Sequence, residues 1–128
     1  MNILVDTVDF LWFCNADPQL GKKRSEFIKD ADNAVFLSSV SAAEISIKYS
    51  IKKLTLPEPP RTYIPKLRHQ HLFAELPLFE PASLILDDLP LIHRDPFDRL
   101  LICQAISHNL YLLSSDPEIH KYPDVEFL

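Results

Sequence analysis

The chain has 128 residues, 47% of them hydrophobic and 24% charged, with a formal net charge of −5. This length and balance fit one folded domain, residues 1–128, with a real core, and they exclude a disordered or fibrous chain. One glycine, Gly21, against eleven prolines excludes every glycine-rich phosphate loop, and two cysteines, Cys14 and Cys103, are too few for a disulfide framework or a cysteine-based zinc site.

Residues 2–5, NILV, form a short strand-like run followed at once by Asp6 and Thr7. VDFLWFC (8–14) predicts a short helix, and LGKKRSEFIKDA (20–31) a second, more polar one. AVFLSSV (34–40) is the next strand. SAAEISIKYSIKKL (41–54) predicts a strong helix, with Ala43, Ile47, Ile51 and Leu54 recurring at helical spacing. The prolines of TLPEPP (55–60) break it. Residues 61–71 read as helical again, with a boundary near Pro65 left open. AELPLF gives a short strand, and PASLILDDL a short helix from about Pro81. DPFDRLLICQAISHN (95–109) is a helix with Asn109 as its C-cap, LYLLSS (110–115) a strand with Asp116 directly after it, PEIHKY a turn of helix, and VEFL a last strand.

Strands alternate with helices, which implies parallel strands joined by helical crossovers: a three-layer α/β/α domain, with a central, mainly parallel sheet and helices on both faces. The strands near 2–5, 35–38 and 110–113 are built on uninterrupted apolar runs, ILV, VFL and LYLL, as buried parallel strands are. The N-terminus has no basic segment before its apolar run and no stretch approaches membrane-spanning length, so no membrane association and a cytoplasmic setting are expected.

The acids converge on this scheme. Asp6 and Asp116 each follow a strand, and Glu44 opens the helix after AVFLSS, in its first turn. Asp95 and Asp98 open the helix that leads back into LYLLSS. All five therefore stand at the carboxyl edge of the sheet, where open α/β sheets bind ligands. Each has an alternative reading as a helix cap: Ser41 to Glu44 fits a capping box, Asp95-Pro96 and Asp116-Pro117 fit N-caps before a first-turn proline, and Asp6 is placed to cap the first helix. Caps do not require an acid at every site, however, and carboxylates gathered at one edge repel unless a cation joins them. An all-oxygen ligand set selects Mg²⁺ or Mn²⁺. With no nucleotide loop and no covalent nucleophile in view, that set suggests phosphodiester hydrolysis by metal-activated water. Asp6, Glu44, Asp98 and Asp116 are the expected catalytic residues and ligands. His93 is the nearest histidine and is assigned a structural role.

The segments ILVDT, SSVSAAEISIK, LIHRDPFDRLLICQA and LLSSDPEI, in this order and spacing, resemble the PIN-domain ribonucleases, and among them the VapC-type toxins of prokaryotic toxin–antitoxin pairs. KLTLPEPP is similar as well, so the resemblance spans nearly the whole chain. It implies a PIN fold, Mg²⁺- or Mn²⁺-dependent cleavage of RNA, inhibition by a cognate antitoxin protein that covers the active site, and a homodimer. The family's acids map onto Asp6, Glu44, Asp98 and Asp116, with Asp95 an accessory metal ligand. Relatives often carry His after Asp-Thr and Trp before the Glu; here Val8 and Ala43 stand there, and neither position is a ligand.

The net acidity, which by itself argues against nucleic-acid binding, is then explained by carboxylates that metal neutralises. Arg94 and Arg99, beside the acids, and the helix face with Lys48, Lys52 and Lys53 are the candidate contacts for RNA phosphates. Exposed apolar surface within 55–73 is a candidate for the antitoxin or the second subunit. A PIN-like binding module without cleavage is the competing class, disfavoured because a scaffold has no use for the repulsion. A haloacid-dehalogenase phosphatase needs Asp-x-Asp after the first strand, whereas Asp6 and Asp9 are spaced one residue too far apart. A response-regulator receiver fails because serines, not the required Asp and Lys, follow the later strands.

Overall fold

The structure, a computed structural model, describes residues 1–128. Four strands form one sheet: β1 (Asn2–Val5), β2 (Ala34–Ser38), β3 (Ala74–Leu76) and β4 (Tyr111–Leu113), in the spatial order β3-β2-β1-β4. Every pairing is parallel, with Ile3 beside Val35 and Tyr111, and Phe36 beside Ala74. A parallel neighbour cannot be reached by a tight turn, so helices make the crossovers. These are α1 (Thr7–Cys14) and α2 (Lys22–Lys29) before β2, α3 (Ser39–Ser50) and α4 (Pro60–His71) before β3, and α5 (Glu80–Ser83) and α6 (Pro96–His108) before β4.

The alternation of strand side chains sorts the core into two layers. Ile3, Val5, Val35, Leu37 and Leu113 face one side, where they pack on Phe10 of α1, Ile28 of α2 and Tyr63, Ile64 and Leu67 of α4. Leu4 and Leu112 face the other, against Leu101, Ile102 and Ala105 of α6 and Ile119 and Tyr122 near the C-terminus. The expected three-layer α/β/α arrangement is thus present.

Several boundaries move, for identifiable reasons. The second helix starts at Lys22 because Pro18–Leu20 forms a 3-10 turn and Gly21, at φ 89°, redirects the chain. α3 begins two residues earlier than predicted, because the Ser38 hydroxyl accepts the Val40 N–H and takes over the capping role. The Ala43, Ile47, Ile51 stripe consequently faces solvent, with Ile47 and Ile51 about half exposed, while Ser41, Glu44 and Ile45 turn inward. α4 runs through Pro65, whose missing N–H leaves only the exposed Arg61 turn without a partner. The predicted 81–89 helix is four residues of α5 followed by turns. VEFL makes a single parallel bridge, Phe127 to Leu112, rather than a full strand. Asn109 caps α6 in the left-handed conformation, as expected. The apolar residues of 55–73 are mostly buried, with Leu72 the exposed exception, so that segment is ordinary packing.

Candidate metal centre at the carboxyl edge

The chain leaves β1 and β2 toward crossovers on one side of the sheet and reaches β4 on the other, so β1 lies at the switch in strand order. Asp6 directly follows β1. It occupies the N-cap position of α1 but makes no cap bond; instead its Oδ2 accepts the Ser114 hydroxyl at 2.8 Å. Ser114, fully buried after β4, also accepts the Asp116 N–H at 3.1 Å. One serine thereby ties the first acid to the backbone of the last.

Glu44 lies in the second turn of α3, not the first, and is 3% exposed. The capping box does not form: Ser41 receives the Thr7 hydroxyl at 2.8 Å instead. Glu44 Oε2 takes the ammonium of Lys48, one turn on, at 2.5 Å, and Oε1 is buried with no partner. Asp95 is a true N-cap, its Oδ1 accepting the N–H groups of Phe97 (2.8 Å) and Asp98 (3.3 Å). Asp116 Oδ1 accepts the Glu118 N–H at 2.9 Å, which leaves Oδ2 for the site. The capping reading is therefore right for Asp95, half right for Asp116, and wrong for Asp6 and Glu44.

His93 needs correction. Its Nε2 lies 3.0 Å from Asp98 Oδ2 and 3.6 Å from Asp116 Oδ2, and the ligand atoms of these three residues lie within 4.8 Å of one another. The Asp95 N–H points at Nδ1 (3.4 Å), which assigns the ring proton to Nε2, facing the acids. The sequence placed His93 close by but gave no sign that the 93–95 turn folds it back over α6. Lys48 was legible as an i, i+4 partner of Glu44. Ser114 was legible only as the alternate residue before Asp116. Arg99 is engaged elsewhere: its guanidinium donates to the carbonyls of Leu86, Leu89, Pro90 and His93 and so braces the loop ahead of α6. Arg94 is exposed.

The electrostatics follow from the crowding. Burial, the charge of Asp98 and the charge of Asp9 push Asp6 up to about 8, against the opposing Ser114 hydrogen bond. Burial, then Asp95, Glu44 and Asp116, push Asp98 up to about 7, with Lys48 opposing. The Lys48 ammonium is held above its ordinary range, chiefly by the Glu44 hydrogen bond. A divalent cation fits this rim: the donors are hard carboxylate oxygens, one of them is buried and unpartnered, and the negative charge exceeds what Lys48 offsets.

The PIN domain family model matches residues 3–125. No curated protein sequence matches the chain. Among solved structures, the chain is similar to a chain of VapBC2 from Rickettsia felis, bound to a DNA fragment from their promoter, at 16% identity and a TM-score of 0.75, over 100% of this chain and 98% of that one. A chain of the DNA-bound VapBC of Salmonella typhimurium gives 16% identity and 0.73, over 100% and 97%. A chain of FitAcB from Neisseria gonorrhoeae gives 21% and 0.64, over 98% and 96%. At these identities the likeness is one of fold. No helix is long and apolar enough to cross a membrane. With the family model covering all but the first two and last three residues, the chain belongs to the PIN domain family.

Proposed function

We propose that this chain is a metal-dependent endoribonuclease, the toxin of a toxin–antitoxin pair, that cleaves RNA phosphodiester bonds. One observation carries the reading: four separate segments deliver Asp6, Glu44, Asp98 and Asp116 to one rim, where two carboxyls are pushed far above their ordinary range and a Glu44 oxygen is buried without a partner. A binding scaffold gains nothing from such repulsion. Mg²⁺ or Mn²⁺ is the ion of choice, held by these four acids with Asp95 as an accessory. When bound, it supplies an activated water and charge stabilisation on the phosphate. Asp98 is the acid best placed to exchange a proton, since His93 Nε2 lies 3.0 Å from its Oδ2. Ser114 fixes Asp6, and the cap made by Asp95 fixes the start of α6. Exposed Arg94, Lys52 and Lys53 are cations available to the RNA backbone, while the Lys48 ammonium is paired with Glu44.

The similar structures named VapBC and FitAcB are of complexes, which supports an antitoxin partner here. A homodimer is proposed through exposed apolar residues outside 55–73: Ile47 and Ile51 on α3, and Phe79 and Leu84 flanking α5. The test is to incubate purified, partner-free protein with total cellular RNA and Mg²⁺ or Mn²⁺, with and without EDTA, beside Asp6→Asn and Asp98→Asn. Discrete cleavage that needs metal and disappears in both variants is expected. Metal-independent cleavage, or cleavage retained by both variants, would refute the assignment.

A further inference from the structure

The rim leaves one buried acid unused. Asp9 stands on α1 three residues after Asp6, so both lie on one side of that helix. It is fully buried. Its Oδ2 accepts the backbone N–H of Ser115 at 3.1 Å, and its Oδ1 has no partner. Burial pushes its carboxyl up, opposed by the Ser115 hydrogen bonds and by the charge of Arg24 on α2.

Neither capping nor packing accounts for an acid here. An acid at this helix position could reach back to the N–H of the N-cap residue. That N–H, on Asp6, is already given to Leu113 O at 2.9 Å, and α1 has no side-chain cap bond. A leucine or valine would fill the space without burying a carboxylate that has one oxygen unsatisfied.

What the acid gains is a hold on the turn after β4. Ser114 already joins that turn to Asp6 through its hydroxyl. Ser115, the next residue, is joined to Asp9 through its N–H. Ser114 is held on its other side too, its N–H given to Leu128 O at 3.3 Å and its carbonyl in contact with His120 Nε2, but Ser115 is tied to α1 only through Asp9, and that second link fixes how the turn continues toward Asp116. Asp116, the following residue, must be so oriented to bring its Oδ2 to His93 and Asp98. We propose that Asp9 is a positioning residue of the metal centre: it clamps the 114–116 turn onto α1 so that Asp116 meets the other acids, and it is not itself a metal ligand. The proposal rests on reading the rim as a metal site.

The test uses the full chain, Mn²⁺ alone as probe, and two readouts: calorimetric Mn²⁺ affinity, and hydrogen exchange of the Ser115 amide in metal-free protein. Asp9→Leu removes the acceptor. It is expected to weaken Mn²⁺ binding by about tenfold or more, as loss of a supporting partner does, and to speed Ser115 exchange. Asp9→Asn keeps an acceptor oxygen and is expected to rescue both, with affinity within about threefold of wild type, because a positioning role needs the hydrogen bond rather than the charge. Unchanged affinity in Asp9→Leu overturns the proposal. Should that variant fail to fold, Asp9→Asn decides alone. Affinity and amide protection kept together, or lost together, support the clamp. Affinity lost with the amide still protected makes Asp9 a ligand, and affinity kept with the amide unprotected makes the clamp irrelevant; either result overturns the proposal. A wild-type chain that binds no Mn²⁺ refutes the metal-site reading, and the proposal with it; the other adverse results refute the proposal alone.

Discussion

Replacing Asp6 with asparagine tests the charge strain at the rim. In the folded chain Asp6 is raised from an ordinary 3.8 to about 8, first by burial and then by Asp98. Between those values the folded state keeps a proton that the unfolded chain has released, so stability falls as pH rises. The contribution is fully present below pH 3.8 and is lost on rising through about 8. Each unit corresponds to about 1.4 kcal/mol, so the interval from pH 5 to pH 8 spans about 4 kcal/mol at Asp6. Local relaxation and water entry at the rim offset part of this cost, which sets the expectation at about 2–4 kcal/mol. Asp6→Asn does not titrate, and its other effects, including how well the amide accepts the Ser114 hydroxyl, do not depend on pH. In EDTA, urea unfolding at pH 5 and pH 8 should therefore show the variant gaining on wild type by that amount. Saturating Mn²⁺ should reverse the order at pH 8, because only wild type keeps the ligand. A stability gap unchanged between the two pH values, or one that moves against the variant as pH rises, would refute the reasoning.

Three further substitutions probe the scaffold that holds the rim. Ser38→Ala removes both the cap of α3 and the hydroxyl given to the buried Gln104, and should cost about 1–3 kcal/mol by urea unfolding. Arg99→Lys replaces a fork that holds four loop carbonyls with a single ammonium; limited proteolysis within 84–94 should accelerate, with a stability loss of about 1–3 kcal/mol. Leu101→Ala, at a fully buried position of α6 beneath Asp98, should cost about 2–5 kcal/mol by chemical denaturation.

The fold was legible wherever hydrophobic pattern and topology agree. Continuous apolar runs marked β1, β2 and β4, and the alternation with helices gave the parallel sheet and its two covered faces. The errors fall where a local choice depends on a distant partner. Ser38 and Ser41 are equally good caps in sequence; what separates them is that Thr7 of α1 claims the Ser41 hydroxyl. The Ile47 and Ile51 stripe shows helical period but not its direction. α3 turns it outward because the opposite face carries Glu44 to the rim and Ile45 to the core. VEFL has strand composition, but its pairing with β4 is confined to the Phe127–Leu112 bridge and the backbone bonds of Glu126 and Leu128 that flank it.

The site was legible for the same topological reason, and it also explains the composition. In parallel strands every chain exit lies at one edge, so acids placed after strands or at helix starts must meet. That argument reached Asp6, Glu44, Asp98 and Asp116 without any contact being known. It could not reach His93, which a backbone turn folds over the acids, nor Asp9, whose burial depends on the turn after β4. Counting Asp9 and Asp95, six of the eighteen acids gather at this rim, and the twelve that remain face thirteen lysines and arginines. The acidic excess of the sequence is therefore concentrated at one site rather than spread over the chain. An acidic total would ordinarily argue against an RNA partner. Under the proposed metal-site reading it reflects the cation that the rim would take, and the residues outside the rim, twelve acids against thirteen lysines and arginines, carry no acidic excess to repel phosphate.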